Sequence, residues 1–222
     1  MSHRLGRGIA SAVLVLLAAV PGFAADMSVG LAGGYEGGAG ARVSGTADGF
    51  AKGFPLAAEI AFGFVVRDPG NAADARKVFI NDNTNGSPES YGADVLGRLD
   101  FWYDTRWIRE GHLSLGGGVR FSNFWAHFKY VGGNEEFDVT TNQWGAGFGA
   151  KAAFSMAAKL DLVIIATLDY YFDASMEAHS RVYSPNGNNV DPRAGYTYTD
   201  ADNAINQPKL QPAVVIGLAY HL

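Results

Sequence analysis

The stretch Leu210–Leu222 constrains the fold more than any other. Leu210, Pro212, Val214, Ile216, Leu218, Tyr220 and Leu222 alternate with Gln211, Ala213, Val215, Gly217, Ala219 and His221. Period-two alternation defines a strand with one continuous apolar face. Chain ends are normally frayed and polar. An apolar strand face that continues to Leu222 is therefore expected to close a sheet, and its outward residues fit a barrel wall that meets lipid. An ordinary core strand would show the same pattern, so the rest of the chain has to decide.

Residues 1–24 read as a secretory signal peptide, outside the fold. His3, Arg4 and Arg7 form a basic start, Ile9–Val20 is an apolar run of twelve residues, and Pro21-Gly22-Phe23-Ala24-Ala25 supplies a breaker and small residues. Cleavage after Ala24 places Gly22 at the −3 position, whereas cleavage after Ala25 places bulky Phe23 there. The run is too short for a membrane helix, which needs roughly 20 apolar residues. Cleavage after Ala24 leaves 198 of the 222 residues as one domain, 25–222. Taking Arg4 and Arg7 from a formal charge of −5 leaves −7, which argues against nucleic acid as a partner. With no cysteine, no disulfide framework holds the exported fold together.

Eight alternating segments follow. They are Met27–Tyr35, Ala41–Ala51, Phe54–Val66, Tyr91–Tyr103, Leu113–Trp125, Val139–Met156, Asp161–Asp173 and Leu210–Leu222. The fourth shows the pattern well. Tyr91, Ala93, Val95, Leu99, Phe101 and Tyr103 share one face, against Asp94, Leu96, Arg98, Asp100 and Trp102 on the other. Connections after the second, fourth and sixth segments are short. Those after the third (Arg67–Ser90), fifth (Phe128–Asp138) and seventh (Ala174–Pro208) are longer. The expected fold is all-β: an eight-stranded, antiparallel, up-and-down transmembrane barrel with tight turns at one end and large loops at the other.

In this pattern, repeated eight times, the chain resembles the small bacterial outer-membrane β-barrel proteins, eight-stranded barrels of the OmpA, OmpX and OmpW kind, in an uncharacterised branch. The last strand resembles their C-terminal signature, with Leu222 in place of the usual terminal Phe and Tyr220 keeping an aromatic in register. The loop stretch Asp68–Gly86 also looks like one found in that branch, and it carries no function with it. The resemblance implies an outer-membrane location, outer-membrane lipid and lipopolysaccharide as surroundings, and assembly by the barrel-assembly machinery through the last strand.

A soluble barrel of lipocalin type also has about eight alternating strands, with the apolar face inward. Two features favour the inverted arrangement. Aromatics gather at both ends of the apolar face: Tyr35, Phe64, Tyr91, Trp125, Trp144 and Phe172 near the loops, and Phe54, Phe101, Tyr103, Phe154, Tyr220 and turn residue Trp107 at the other end. Such a double girdle suits a lipid-facing surface. The opposite face mixes glycines with Arg42, Glu59, Asp94, Arg98, Asp100, Arg120, Lys151, Asp169 and Asp173. Opposite charges in near balance suit an interior where little water screens them.

The bland reading of these charges is a salt-bridge ladder that plugs the lumen; the sharper one is a narrow path for solutes or ions. An eight-stranded barrel encloses little more than side chains. No enzyme is expected. Lipid-A deacylases resemble one another in a His-x-Ser pair, and here His127 is followed two residues later by Lys129. The palmitoyl transferases use His, Asp and Ser near the outer surface, which His179, Ser180 and Asp173 match in type only. No cofactor and no metal are expected. Asn81–Gly92 fails as a calcium loop because it begins with Asn and has Gly92 at the twelfth position. Asp191, Asp200 and Asp202 could gather a divalent cation, but their composition reads first as a solvated polar loop. Surface contact, with an unknown ligand, falls to the two long loops, with Tyr183, Tyr196 and Tyr198 in one and the apolar triplet Val78-Phe79-Ile80 in the other.

Overall fold

The computed structural model describes residues 26–49, 55–133, 135–180 and 192–222. The expected signal peptide, Phe54, Tyr183, Asp191 and the side chains of His179 and Ser180 lie outside the described residues.

The elements in chain order are β1 (Asp26–Glu36), β2 (Ala39–Asp48), β3 (Leu56–Arg67), α1 (Ala72–Phe79), β4 (Ser87–Asp104), β5 (His112–Val131), β6 (Glu136–Ala157), β7 (Leu160–Tyr171), β8 (Met176–Ser180), α2 (Tyr198–Ala204) and β9 (Leu210–His221). Each strand from β1 to β6 pairs antiparallel with the next. β7 pairs with β9, and β9 closes on β1, from Ser28↔His221 to Glu36↔Ala213. This is a closed eight-stranded barrel. β8 adds no wall of its own, because it pairs with Phe137–Thr141 of β6, beyond the part of β6 that β7 covers.

Alternation sets the two faces. On β4, Leu96, Arg98, Asp100 and Trp102 are 1–5% exposed, while Val95, Leu99, Phe101 and Tyr103 are 40–51% exposed. The open face is apolar and the buried face is charged. That order suits a wall between lipid and a packed lumen. On β9 likewise, Val214, Ile216, Leu218 and Tyr220 point out and Ala213 and Val215 point in.

Part-way up β5 and β6 the order inverts. Below the turn, Leu115, Val119, Trp144 and Phe148 form the outward surface. One pair higher stands Asn123 opposite Asn142, joined on the outer surface by a 2.7 Å hydrogen bond. Above that pair the buried inward residues are Phe124, Ala126, Phe128, Phe137 and Val139, and Lys129, Asp138 and Thr140 face out. A wall apolar outside and charged inside becomes one polar outside and apolar inside. On β5 and β6 this change begins between the outward pairs Phe121–Trp144 and Asn123–Asn142.

This inversion corrects one expectation. Phe128–Asp138, read as a loop, is a hairpin in which β5 runs to Val131 and β6 starts at Glu136, with the turn at Gly132, whose φ is +85°. Alternation continues there with its faces exchanged, so it did not read as more of the same wall. β4 begins at Ser87 rather than Tyr91, because Ser87–Ser90 pair with Phe128–Val131. β2 spans Ala39–Asp48 instead of beginning at Ala41, since Gly37 and Gly38 alone make the turn. The loop expected at Ala174–Pro208 contains β8 and α2.

One inward glycine decides whether the lumen packs. A methyl on Gly147 would collide with Asp169 Oδ1 and come within 2.7 Å of Arg120 Nε. Overpacking of this kind costs about 1–3 kcal/mol. Gly147→Val is therefore expected to lower the urea midpoint of the barrel refolded in lipid vesicles, while Val119→Ile on the lipid face leaves it unchanged.

Candidate functional site

Three structures fill the barrel from the middle upward: a charged layer, a short apolar seal and a loop-built cap. The charged layer draws on β1, β2, β4, β5 and β7. Arg120 reaches Asp169 Oδ1 through Nε at 2.6 Å and Asp100 Oδ1 through Nη1 at 2.7 Å. Arg98 donates to Asp169 Oδ2 at 2.5 Å and to Thr167 Oγ1 at 3.2 Å, and lies 3.6 Å from Glu36. Arg42 completes the chain, 3.0 Å from Glu36 Oε1. Toward the turn end Lys151 pairs with Glu59, which also accepts from Thr46 at 3.1 Å. Toward the loop end Arg67 meets Asp94 at 3.0 Å and Gln211 at 3.2 Å, and Ser122 donates to Asp94 at 2.7 Å.

Eight of the nine expected lumen charges thus lie inside: Arg42, Glu59, Asp94, Arg98, Asp100, Arg120, Lys151 and Asp169. Asp173 does not. It follows the end of β7, where the chain steps away from β6 before β8, and it is exposed. Glu36 and Arg67 take part unexpectedly. Each sits one residue past the assigned strand end, and carrying the alternation on by one step from Tyr35 and Val66 would have found both. With them, five cations face five anions in these lumen pairs.

Level with the Arg67–Asp94 pair, Val65 (opposite Asp94 in register), Leu96 and Tyr171 form a buried apolar cluster. The cap lies over it. Helix α1 starts at Asn71, whose side chain accepts from the amides of Ala73 and Asp74. Helix α2 starts with a capping box between Thr197 and Asp200. Their apolar sides, with Val78, Phe79, Ala201, Ala204 and Ile205, pack on Phe124, Phe128, Phe137 and Val139 of the inverted wall. The triplet Val78-Phe79-Ile80 therefore packs over the barrel mouth. The two loops are also joined by backbone hydrogen bonds, Asn71 N to Ala204 O at 2.9 Å and Asn206 N to Pro69 O at 3.1 Å.

Two arginines pin this cap. Arg76 is buried, stacks 4.0 Å from the Tyr130 ring, donates to Glu135 at 2.5 Å and to Asn85 O at 2.7 Å. Arg193 crosses from one loop to the other, bonding both oxygens of Asp82 at 3.1 and 3.0 Å and Lys77 O at 2.8 Å. The hydrogen bonds from Arg193 hold the Asp82 carboxyl below its ordinary pKa. Burial pushes the Glu135 carboxyl up, but hydrogen bonds from Asn81 and Arg76 outweigh it and the net direction is down.

Among the described residues the turn end is open. A cavity of about 400 Å³ there is lined by Asp26, Asp48, Asp104, Asp161, His112 and His221 at the rim, with Trp102 and Lys151 deeper. His112 lies 2.8 Å from Asp104, and His221 lies 2.8 Å from Asp161. The remaining polar loop residues have local partners. Asp200 caps α2, Asp202 pairs with Lys209 at 2.5 Å, and the side chains of Asn81 and Asn83 accept from backbone amides two residues on. Among the described residues no group of three or more His, Cys, Asp or Glu is placed to hold a metal.

The aromatics fall as two bands on the outer surface. Tyr35, Phe64, Trp144 and Phe172 are exposed toward the loops, and Phe101, Tyr103, Trp107, Phe154 and Tyr220 at the turn end, while exposed Tyr91, opposite His127 and above the Asn123–Asn142 pair, stands higher than the loop-side band expected to hold it. Trp125 is half-buried, edge-on to Tyr91 with ring centres 4.9 Å apart.

An apolar outer belt between aromatic bands, around a charged and packed lumen, defines a small transmembrane β-barrel of the outer-membrane type. The fold matches the crystal structure of a major outer membrane protein from Thermus thermophilus, with a TM-score of 0.74 and 24% identity over 90% of this chain and 100% of that one. Weaker likenesses are to Neisserial surface protein A (TM-score 0.40, 11% identity, 88% and 94% of the two chains) and to Acinetobacter baumannii CarO2 (0.43, 11%, 90% and 100%). These two carry no argument here. No protein-family model and no curated protein sequence matches the chain.

Two outcomes follow from this geometry. Arg120→Met strands Asp100 without its cation and leaves Asp169 with Arg98 alone, and breaking a buried pair from one side costs about 3–5 kcal/mol. Its urea midpoint is expected to fall well below that of Arg193→Ala, where only an exposed contact is lost. The cap is expected to respond to acid. Carboxyls with lowered folded-state pKa values contribute stability above their unfolded values, and this is lost as pH falls through the folded values. The Arg193–Asp82 and Arg76–Glu135 contacts should thus persist at neutral pH and fail below the ordinary carboxylate range of about 4. Limited proteolysis in vesicles, with one protease active at neutral pH and another in acid, should find α1 and α2 resistant in the first and cut in the second.

Proposed function

We propose that this is an outer-membrane protein whose barrel is a closed scaffold and whose role is structural or one of surface interaction through the loop-built cap. The observation that carries the reading is the filled upper lumen. A balanced ion-pair layer spans the barrel, an apolar cluster seals it, and two helices pack over the mouth. Side chains locked in this way leave little path for water or ions, and they make a rigid base for presenting loops. Outer-membrane lipid, lipopolysaccharide included, is the surrounding we propose for the apolar belt, whose exposed Leu, Val, Ile and Phe side chains support a lipid contact. The last strand, with its outward Ile216, Leu218 and Tyr220, is the segment to engage the barrel-assembly machinery. None of these roles needs a catalytic group.

A narrow channel is the second reading, supported by the open cavity at the turn end. Planar-bilayer recording separates the two. The refolded protein is expected to stay silent, and Arg98→Ala with Arg120→Ala is expected to give at most leak from a weakened barrel. Discrete steps from the wild-type protein, altered in size by the double variant, would make the channel reading the correct one.

A further inference from the structure

On the outer surface, where β4, β5 and β6 rise above the lipid belt, lies a groove of about 310 Å³. One side is aromatic. Tyr91 is 51% exposed, packs edge-on against Trp125, and lies 4.7 Å from the His127 ring centre to centre. The other side is ionic. His127 Nδ1 lies 2.5 Å from Asp138 Oδ1, Lys129 lies 4.0 Å from Glu89, and Glu136 completes the lining. The lumen and the cap make no use of these outward side chains.

We propose that this groove binds the sugar headgroup of an outer-leaflet glycolipid. Three observations select that ligand. First, aromatic faces beside a few fixed acceptors suit a pyranose, which presents C–H to the rings and hydroxyls to carboxylates. Second, three carboxylates stand against one lysine and a histidine already joined to Asp138, so a phosphate or another anionic headgroup is repelled. Third, the height fits. Trp125 and His127 lie four and six residues above Phe121 on β5, about 14 and 20 Å along a strand rising about 3.4 Å per residue. With a tilt of about 40° that is about 10 and 16 Å of height. A phospholipid headgroup layer is only about 5–8 Å deep, so the groove stands above it, within reach of a headgroup several atoms longer.

The inference rests on the membrane placement proposed above, and one experiment separates the two. The full chain is refolded into phosphatidylcholine vesicles that contain a minor fraction of either digalactosyldiacylglycerol or phosphatidylglycerol. Heat-modifiable gel mobility and protease protection report insertion. Lipid retained through gentle detergent extraction is then counted by native mass spectrometry. The expected result is several-fold enrichment of the digalactosyl lipid over phosphatidylglycerol. That enrichment should be lost in Trp125→Ala and in Asp138→Asn, and kept in Phe148→Ala within the lipid belt. If Trp125→Ala fails to insert, the exposed Glu89→Gln serves in its place and is expected to weaken the enrichment. Inserted wild-type protein that retains both lipids equally, prefers phosphatidylglycerol, or keeps its preference in the groove variants overturns the sugar site alone. Failure of wild-type protein to insert overturns the membrane placement and the site together.

Discussion

Burying charge is the constraint on which the rest of this barrel depends. A guanidinium in a lumen this narrow is tolerable only when its donors meet carboxylates, because desolvation otherwise exceeds any gain. Asp169 answers to Arg98 and Arg120 at once, and Glu36 to Arg42 and Arg98, so the pairs form one chain across β1, β2, β4, β5 and β7. A one-residue slip of any of these strands would turn its charge into lipid and an apolar residue into the lumen. The pairs therefore fix register as well as filling space. Gly147 belongs to the same device, since its missing side chain is the room in which Arg120 meets Asp169.

The second constraint is the change of solvent along the strands. A wall that crosses from lipid to water must exchange its faces, and β5 and β6 do so within one register pair. The exchange leaves an apolar interior above the membrane, which has to be covered. α1, α2 and β8 cover it, and for that reason the described parts of the two long loops are packed structure tied down by Arg76 and Arg193. Below, among the described residues, the turn end stays open and acidic. The asymmetry between a closed loop end and an open turn end follows from where the apolar residues change sides.

Much of the architecture was legible from alternation alone. Eight strands, their parity, the outward aromatics and most of the lumen charges follow from reading every second residue. What was missed has a common cause. Phe128–Asp138 still alternates, but with Phe128 inward and Lys129 outward, so a search for an outward apolar face ends at Trp125. Glu36 and Arg67 lie one residue past the ends that the outward apolar pattern marks, and Asp173 reads as inward only if the alternation continues past Tyr171, where β7 ends. The cap was illegible for another reason. Nothing local in Val78-Phe79 or in Ala201–Ile205 says that they will meet Phe124 and Phe137 across the barrel mouth. The groove beside Tyr91 escaped notice too, since its residues come from three strands and gather only through the β4–β5–β6 register.

The exchange of faces is the central claim, and site-directed spin labelling tests it most directly. The chain has no cysteine, so single cysteines placed along β5 at Leu115, Val119, Phe121, Asn123, His127 and Lys129 can be labelled one at a time. In vesicles, the accessibility of each label to oxygen and to a water-soluble nickel chelate is compared. The account predicts oxygen-dominated labels through Phe121 and chelate-dominated labels from Asn123 upward, with the crossover between those two positions. Oxygen-dominated labels at His127 and Lys129, or chelate-dominated labels at Val119 and Leu115, would contradict it.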